Sequence, residues 1–348
     1  MIQNLKRKGK IDMKKTKYIF SILLLITFFL TACFNNANNS NDSNVTNPAT
    51  HVNKPQVSVA FLKGPTGIGA VELMDSTDTS NDYTFEVSSA PDEVMAKLIN
   101  GGVDIAALPT NVAAAVYNKS EQEVSVAAIN TLGVLHLLER GDSIQSISDL
   151  QEKTIYATGQ GSTPEYVLNY ILQKNNINAT VEYMTEHAEL AAAFLAGNID
   201  IALLPEPNAT AVLLKDNSIR RVLDLTEEWN KTQTTNSLKA SQLAMGCIVA
   251  RKEFIENNPD AFENFLKEYQ SSVHYVNSNV TEAAALVEKY GIMDSATAAE
   301  KAIPNCNIVF ISGEEMKQAL TGFYNVLFQA NPKSIGGVLP NEDFYYTK

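Results

Sequence analysis

Two stretches of seventeen residues in this chain resemble one another, and their spacing limits the fold to one with two similar halves. Glu93-Val-Met-Ala-Lys-Leu-Ile-Asn-Gly-Gly-Val-Asp-Ile-Ala-Ala-Leu-Pro109 aligns with Glu189-Leu-Ala-Ala-Ala-Phe-Leu-Ala-Gly-Asn-Ile-Asp-Ile-Ala-Leu-Leu-Pro205 at a constant offset of 96. Each copy reads as an amphipathic helix stopped by glycine (Gly101, Gly197), then a short apolar strand led by aspartate and ended by proline. Two copies this far apart do not make a solenoid, which needs at least three stacked units.

A second correspondence lies upstream. Val57-Ser-Val-Ala-Phe-Leu62 runs into Lys63-Gly-Pro-Thr-Gly-Ile-Gly69, and Thr154-Ile-Tyr-Ala157 runs into Thr158-Gly-Gln-Gly-Ser-Thr-Pro164. With strands at 83–87 and 180–183, each half becomes strand, Gly-rich loop, helix, strand, helix, strand. That alternation predicts an α/β fold of two Rossmann-like lobes with parallel sheets and a cleft between them. The runs Val124–Leu138 and Leu243–Ala250 are placed to cross between the lobes. Residues 55–128 and 246–348 are assigned to lobe 1 and 129–245 to lobe 2.

The N-terminus reads as a targeting segment. Lys14, Lys15 and Lys17 precede an uncharged run from Tyr18 to Leu30, which ends at Leu30-Thr31-Ala32-Cys33. Thirteen residues of helix fall short of a bilayer core of about 30 Å, so the run targets rather than spans. Its end resembles a bacterial lipobox, which implies cleavage of residues 1–32, acylation (palmitate among the acyl groups) of Cys33, and a membrane anchor. Residues 33–54, rich in Asn, Ser, Thr and Pro, read as a flexible tether that cannot offset its own ordering entropy.

The full chain carries a net charge of −12. Residues 1–32 hold seven basic residues and one acidic residue, so their removal lowers the net charge by six, to −18. Such a surface repels phosphate backbones and argues against nucleic acid as a partner. Besides Cys33 there are Cys247 and Cys306, with neither a CxxC motif nor a Cys/His cluster. A disulfide and two buried thiols are both compatible with the sequence; the apolar run around Cys247 favours thiols. No metal or cofactor is expected, because His51, His136, His187 and His274 share no ligand spacing.

Ligands of open α/β sheets bind beyond the carboxyl ends of the strands, where helix N-termini and backbone amides point into the crevice. Candidates there are Lys63, Thr66 and Gly67 in the first Gly-rich loop and Gly159, Gln160, Ser162 and Thr163 in the second. Thr110 and Asn111 follow the first repeat strand, Glu206 follows the second, and Thr131 lies in the crossing segment. Ser162 to Glu165 has capping-box spacing with proline in the first turn. Glu206, between two prolines, offers a carboxylate to an amine or a ring N–H. Tyr156, Tyr166 and Trp229 are alternatives that could stack on a planar ligand, although buried aromatics usually belong to cores.

These features together resemble the solute-binding proteins of the nitrate/sulfonate/taurine class and its pyrimidine-precursor-like members. The likeness covers about residues 56–345 and rests on the lipobox, the Gly-x-Val/Ile-Asp-Ile-Ala pattern in both halves, Ser148-Asp-Leu-Gln-Glu-Lys-Thr154 and Leu204-Pro-Glu-Pro207. It implies a type II periplasmic-binding fold, a monomer that closes on a small molecule and docks on an ABC permease with its ATPase. None of the five arginines falls in the candidate loops. An oxyanion would then rest on amides, hydroxyls and Lys63, which weighs against a sulfonate and toward an apolar or heteroaromatic ligand. The rivals are a sensor lipoprotein signalling to a membrane receptor and, on the same fold, an enzyme.

Overall fold

The computed structural model describes residues 54–233 and 241–348. The signal segment, Cys33 and the tether up to residue 53 lie outside the described residues. In chain order the elements are β1 (Gln56–Leu62), α1 (Pro65–Ile68), α2 (Val71–Asp75), β2 (Asp82–Ser88), α3 (Pro91–Ile99), β3 (Ile105–Pro109), α4 (Thr110–Lys119), β4 (Val124–Thr131), β5 (Leu135–Arg140) and β6 (Thr154–Thr158). They continue with α5 (Thr163–Lys174), β7 (Thr180–Met184), α6 (His187–Leu195), β8 (Ile201–Pro205), α7 (Asn208–Leu213), β9 (Ile219–Asp224), α8 (Leu225–Thr232) and β10 (Gly246–Arg251). The remainder is α9 (Lys252–Asn257), α10 (Pro259–Ser278), α11 (Val280–Lys289), α12 (Ala296–Ala302), β11 (Ile308–Ser312) and α13 (Gly313–Ala330), with short 3-10 turns at Ile303–Asn305 and near the C-terminus.

The repeat survives in three dimensions. Helices α3 and α6 and strands β3 and β8 begin and end 96 residues apart. Each helix buries a narrow stripe, Val94 and Leu98 in one and Leu190 and Phe194 in the other, which is the i, i+4 spacing of one helical face. The strands are buried almost throughout, as expected when helices cover both faces of a sheet.

Two sheets form, ordered β11-β4-β10-β3-β1-β2 and β7-β6-β8-β5-β9. Neither is purely parallel, which corrects the expectation from sequence. β1 pairs in parallel with β2 and β3, and β6 with β7 and β8, but β10 runs antiparallel between β3 and β4, and β5 antiparallel between β8 and β9. The reason is the crossing. β5 enters the second sheet straight from β4, and β10 re-enters the first sheet from the second-lobe segment, so each lobe's fourth strand arrives from the opposite lobe. β4 stays in the first sheet as far as Thr131, and residues 132–134 make the turn into β5.

Helix α13 packs against α5 of the second lobe as well as β4 and β11 of the first. Phe323 is fully buried with its ring centroid 5.7 Å from that of Trp229, and Tyr324 donates its hydroxyl to the Thr110 carbonyl at 2.9 Å. Each such aromatic contributes about 1.5–3 kcal/mol by burial, so the C-terminal helix is a brace joining the lobes. Cys247 and Cys306 are both free and buried, and burial pushes both thiols up.

Candidate functional site

The loops at the strand ends meet crosswise. Thr110 and Asn111, after β3 of the first lobe, share a cavity of about 180 Å³ with Ser162, Thr163 and Pro164, after β6 of the second. Met245 and Phe323 form its apolar wall. Lys63 and Gly64, after β1, share a different cavity of about 380 Å³ with Pro207 and Asn208, after β8. Equivalence in the repeat would set the strand ends Pro109–Asn111 and Pro205–Asn208 against one another across the cleft, which is not the pairing observed. Equivalent positions belong to equivalent places in their own lobes, and the fold brings each loop to its non-equivalent counterpart.

The first cavity is built on two helix N-termini. No side chain caps α4, whose N-cap is Pro109, and none caps α5. The capping box expected at Ser162 does not form. Its hydroxyl turns back to the Gly159 carbonyl at 2.6 Å, and Glu165 instead accepts from the Gly161 amide. Gly159 and Gly161 both take positive φ, of 81° and 74°, which makes this turn possible. The first-turn amides of α4 and α5 thus carry their partial positive charge toward one space from opposite lobes.

Thr110 is 1% exposed, and its hydroxyl has no hydrogen-bond partner among the described residues, the weakly polar Cys247 thiol apart. A buried hydroxyl without a partner is costly in a dry core and inexpensive where a ligand supplies the partner. Thr163, also buried, opens α5 across the cavity. None of the side chains lining this cavity is an acid, a base or a thiol.

The other candidates fall elsewhere. Thr131 is buried and donates to Asn130 Oδ1 at 3.1 Å, beside Thr66. A Cβ on Gly246 would come within 2.6 Å of Asn130 Oδ1 and Thr66 Cγ2, so this glycine, absent from the sequence reading, lets β10 pass the loop of α1. Gly67 serves packing too, since its Cβ would meet the Leu62 carbonyl oxygen at 2.3 Å. Gln160 and Gly161 are exposed. Trp229 is fully buried and donates to the Ser241 carbonyl at 3.1 Å, while Tyr166 donates to the Gly161 carbonyl at 2.7 Å. His187 holds Thr158 at 2.6 Å, and burial lowers its pKa.

Glu206 is neither a solvated turn acid nor open to a ligand. Its side chain is fully buried, and Arg221 on β9 donates to Oε1 while the Thr210 amide donates to Oε2 at 3.2 Å. Burial raises its carboxyl above the ordinary range against the opposing pull of Arg221. His136 on β5 completes the cluster, with Nε2 3.8 Å from Glu206 Oε1 and 3.3 Å from the Asn305 carbonyl. A carbonyl can only accept, so the proton fits on Nε2, and burial keeps the ring's pKa low. Arg221 was invisible as a site residue because its partner lies fifteen positions away, two strands over.

The family model for menaquinone biosynthesis matches residues 68–329, three quarters of the chain. The chain belongs to this family. Among solved structures it is similar to an ABC transporter from Parabacteroides distasonis, with 28% identity over 84% of this chain and 99% of that one, at a TM-score of 0.71. It is also similar to the periplasmic aliphatic sulphonate binding protein SsuA from Escherichia coli, with 17% identity, 84% and 92% coverage and a TM-score of 0.64. A third is the ligand binding component of an ABC-type import system from Staphylococcus aureus, with 12% identity, 84% and 97% coverage and a TM-score of 0.61. No curated protein matches. The fold is therefore that of the periplasmic solute-binding proteins, two α/β lobes with a cleft, and the likeness seen in the sequence holds for this member of the menaquinone-biosynthesis family.

Proposed function

We propose that this protein captures a small molecule between its lobes and delivers it to an ABC importer, and that the captured molecule presents a hydrogen-bond-accepting or anionic group to the N-termini of α4 and α5. The observation that carries this reading is the shared cavity of Thr110, Asn111, Ser162 and Thr163, drawn from both lobes and containing a buried hydroxyl without a partner. Binding to both lobes at once favours the closed arrangement over the open one. A cavity of about 180 Å³ is smaller than the common ligand pocket of ~300–1,000 Å³, so it suits a small cargo or one group of a larger one.

Mass spectrometry of compounds released from the purified protein identifies the cargo, and titration of that compound is expected to lower the radius of gyration in small-angle scattering. An unchanged radius at saturation would place the ligand in one lobe. The family's description favours a second reading, an enzyme of menaquinone biosynthesis. The lack of titratable side chains around the cavity supports binding without acid–base chemistry. Recovery of a chemically altered compound after incubation decides for the enzyme.

The same reading places the protein outside the cytoplasmic membrane as a lipoprotein monomer anchored through Cys33. Among the described residues no helix is long and apolar enough to cross a membrane. Cys33→Ala is expected to move the protein from the membrane to the soluble fraction. Retention of Cys33→Ala in membranes would mean that the N-terminal segment itself holds the chain.

A further inference from the structure

The cluster around Glu206 contains contacts that cross between the lobes. Glu206, Arg221 and His136 all stand on the second sheet or the loop that leaves it, whereas Asn305 sits in the 3-10 turn between α12 and β11, on the first lobe. One guanidinium nitrogen of Arg221 donates to Glu206 and the other to Asn305 Oδ1. The His136 ring meets the Asn305 carbonyl at 3.3 Å, and two residues on, the Leu132 amide donates to the Asn307 carbonyl at 3.0 Å and the Asn307 side-chain amide to the Gly133 carbonyl at 2.6 Å. The seam therefore lies against residues 132–134, where the chain crosses between the sheets.

From this geometry we infer that Arg221 and Asn305 form an interlobe latch that sets the hinge angle, with Glu206 serving as the fixed anchor that holds the guanidinium in place. The inference rests on the proposed capture of a small molecule between the lobes and adds residues that govern closure from outside the Thr110–Thr163 cavity. None of the latch residues lines the Thr110–Thr163 cavity. Pro207 and Asn208, directly after Glu206, line the cavity beneath Lys63, so the anchor is continuous with the cleft wall. A planar, bidentate cation suits the role, because it satisfies a carboxylate in its own lobe and an amide oxygen in the other at once.

Arg221 is positioned rather than free. Glu206 has no exposed side-chain surface and accepts in addition from the Thr210 amide, so the ion pair persists whether or not the lobes part, and Asn305 is the half that lets go. Asn305 is itself oriented by donating its side-chain amide to the Lys301 carbonyl at 3.0 Å, at the end of α12.

Hydrogen exchange on the full chain, with no small molecule added, tests the latch. Asn305→Ala is expected to speed exchange in residues 131–136 and 303–308 roughly ten- to hundredfold, the loss expected for one hydrogen bond to a charged group, while β1 and β8 exchange as before. The double variant Glu206→Gln, Arg221→Gln removes the guanidinium fork without leaving a buried charge, leaves Asn305 in place and should loosen the same seam even if Asn305→Ala disturbs the end of α12. Unchanged exchange at the seam in both variants, or an equal rise across β1 and β8, overturns the latch. Because no cargo is present, failure of the latch is read separately from failure of the transport reading, which the co-purified compound decides.

Discussion

Arg221→Ala is expected to lower the unfolding free energy by about 3–5 kcal/mol at neutral pH, toward the lower end because water reaches part of the guanidinium. The Glu206 side chain has no solvent exposure, and the variant would leave its charge buried with only the Thr210 amide as a close donor. His136 cannot substitute, since burial holds its pKa low and its nearest nitrogen is 3.8 Å away. The carboxyl then responds by taking up a proton. A carboxyl raised in the folded state above its ordinary value of 4.5 is protonated in both states below that value, so the deficit of the variant should be small near pH 4.5 and grow as pH rises. Urea unfolding of wild type and Arg221→Ala at pH 5 and pH 8 measures this. A difference below about 1 kcal/mol at pH 8 would show that Glu206 is not charged in the native protein, since breaking a buried ion pair costs more than that. The double variant Glu206→Gln, Arg221→Gln should cost less than Arg221→Ala alone, because two neutral amides leave no charge behind.

The repeat was legible because its punctuation is chemical. A glycine after a helix, an aspartate before an apolar run and a proline at its end mark boundaries that the fold reproduces at β3 and β8. Strand direction was not legible. β5 and β10 are short strands, and nothing in Leu135–Arg140 or Gly246–Arg251 distinguishes a strand entering from its own lobe from one entering from the other. The same limit hid the pairing of the loops. Sequence equivalence identified Thr110, Asn111, Ser162 and Thr163 one by one, yet which loop faces which depends on how the lobes are joined. Glu206 shows a further limit. Its flanking prolines signalled a constrained carboxylate, but its partner arrives through sheet register, with β5 lying between the strand that ends at Pro205 and the strand that carries Arg221.

Ligand affinity should fall roughly ten- to hundredfold in each of Thr110→Val and Thr163→Val, and calorimetric titration with the co-purified compound is the measurement. Valine keeps the branched shape of threonine and removes the hydroxyl, so packing changes little while one donor to the cargo is lost. The loss corresponds to about 1.5–3 kcal/mol if the accepting group is charged. The two substitutions probe opposite lobes: Thr110 opens α4 on the first and Thr163 opens α5 on the second. They should differ in stability as well. The Thr110 hydroxyl has no hydrogen-bond partner among the described residues apart from the thiol beside it, so Thr110→Val relieves an unsatisfied buried group and should leave the empty protein as stable as wild type or slightly more so. A site kept polar at some cost to stability is what a binding role demands, and weaker binding without weaker folding is the signature to look for. Lys63→Ala provides the contrast, since Lys63 lies in the neighbouring cavity and is exposed. If Lys63→Ala abolishes binding while both valine variants bind as wild type does, the cargo occupies the larger space beneath Lys63, and the helix ends at Thr110 and Thr163 are only packing.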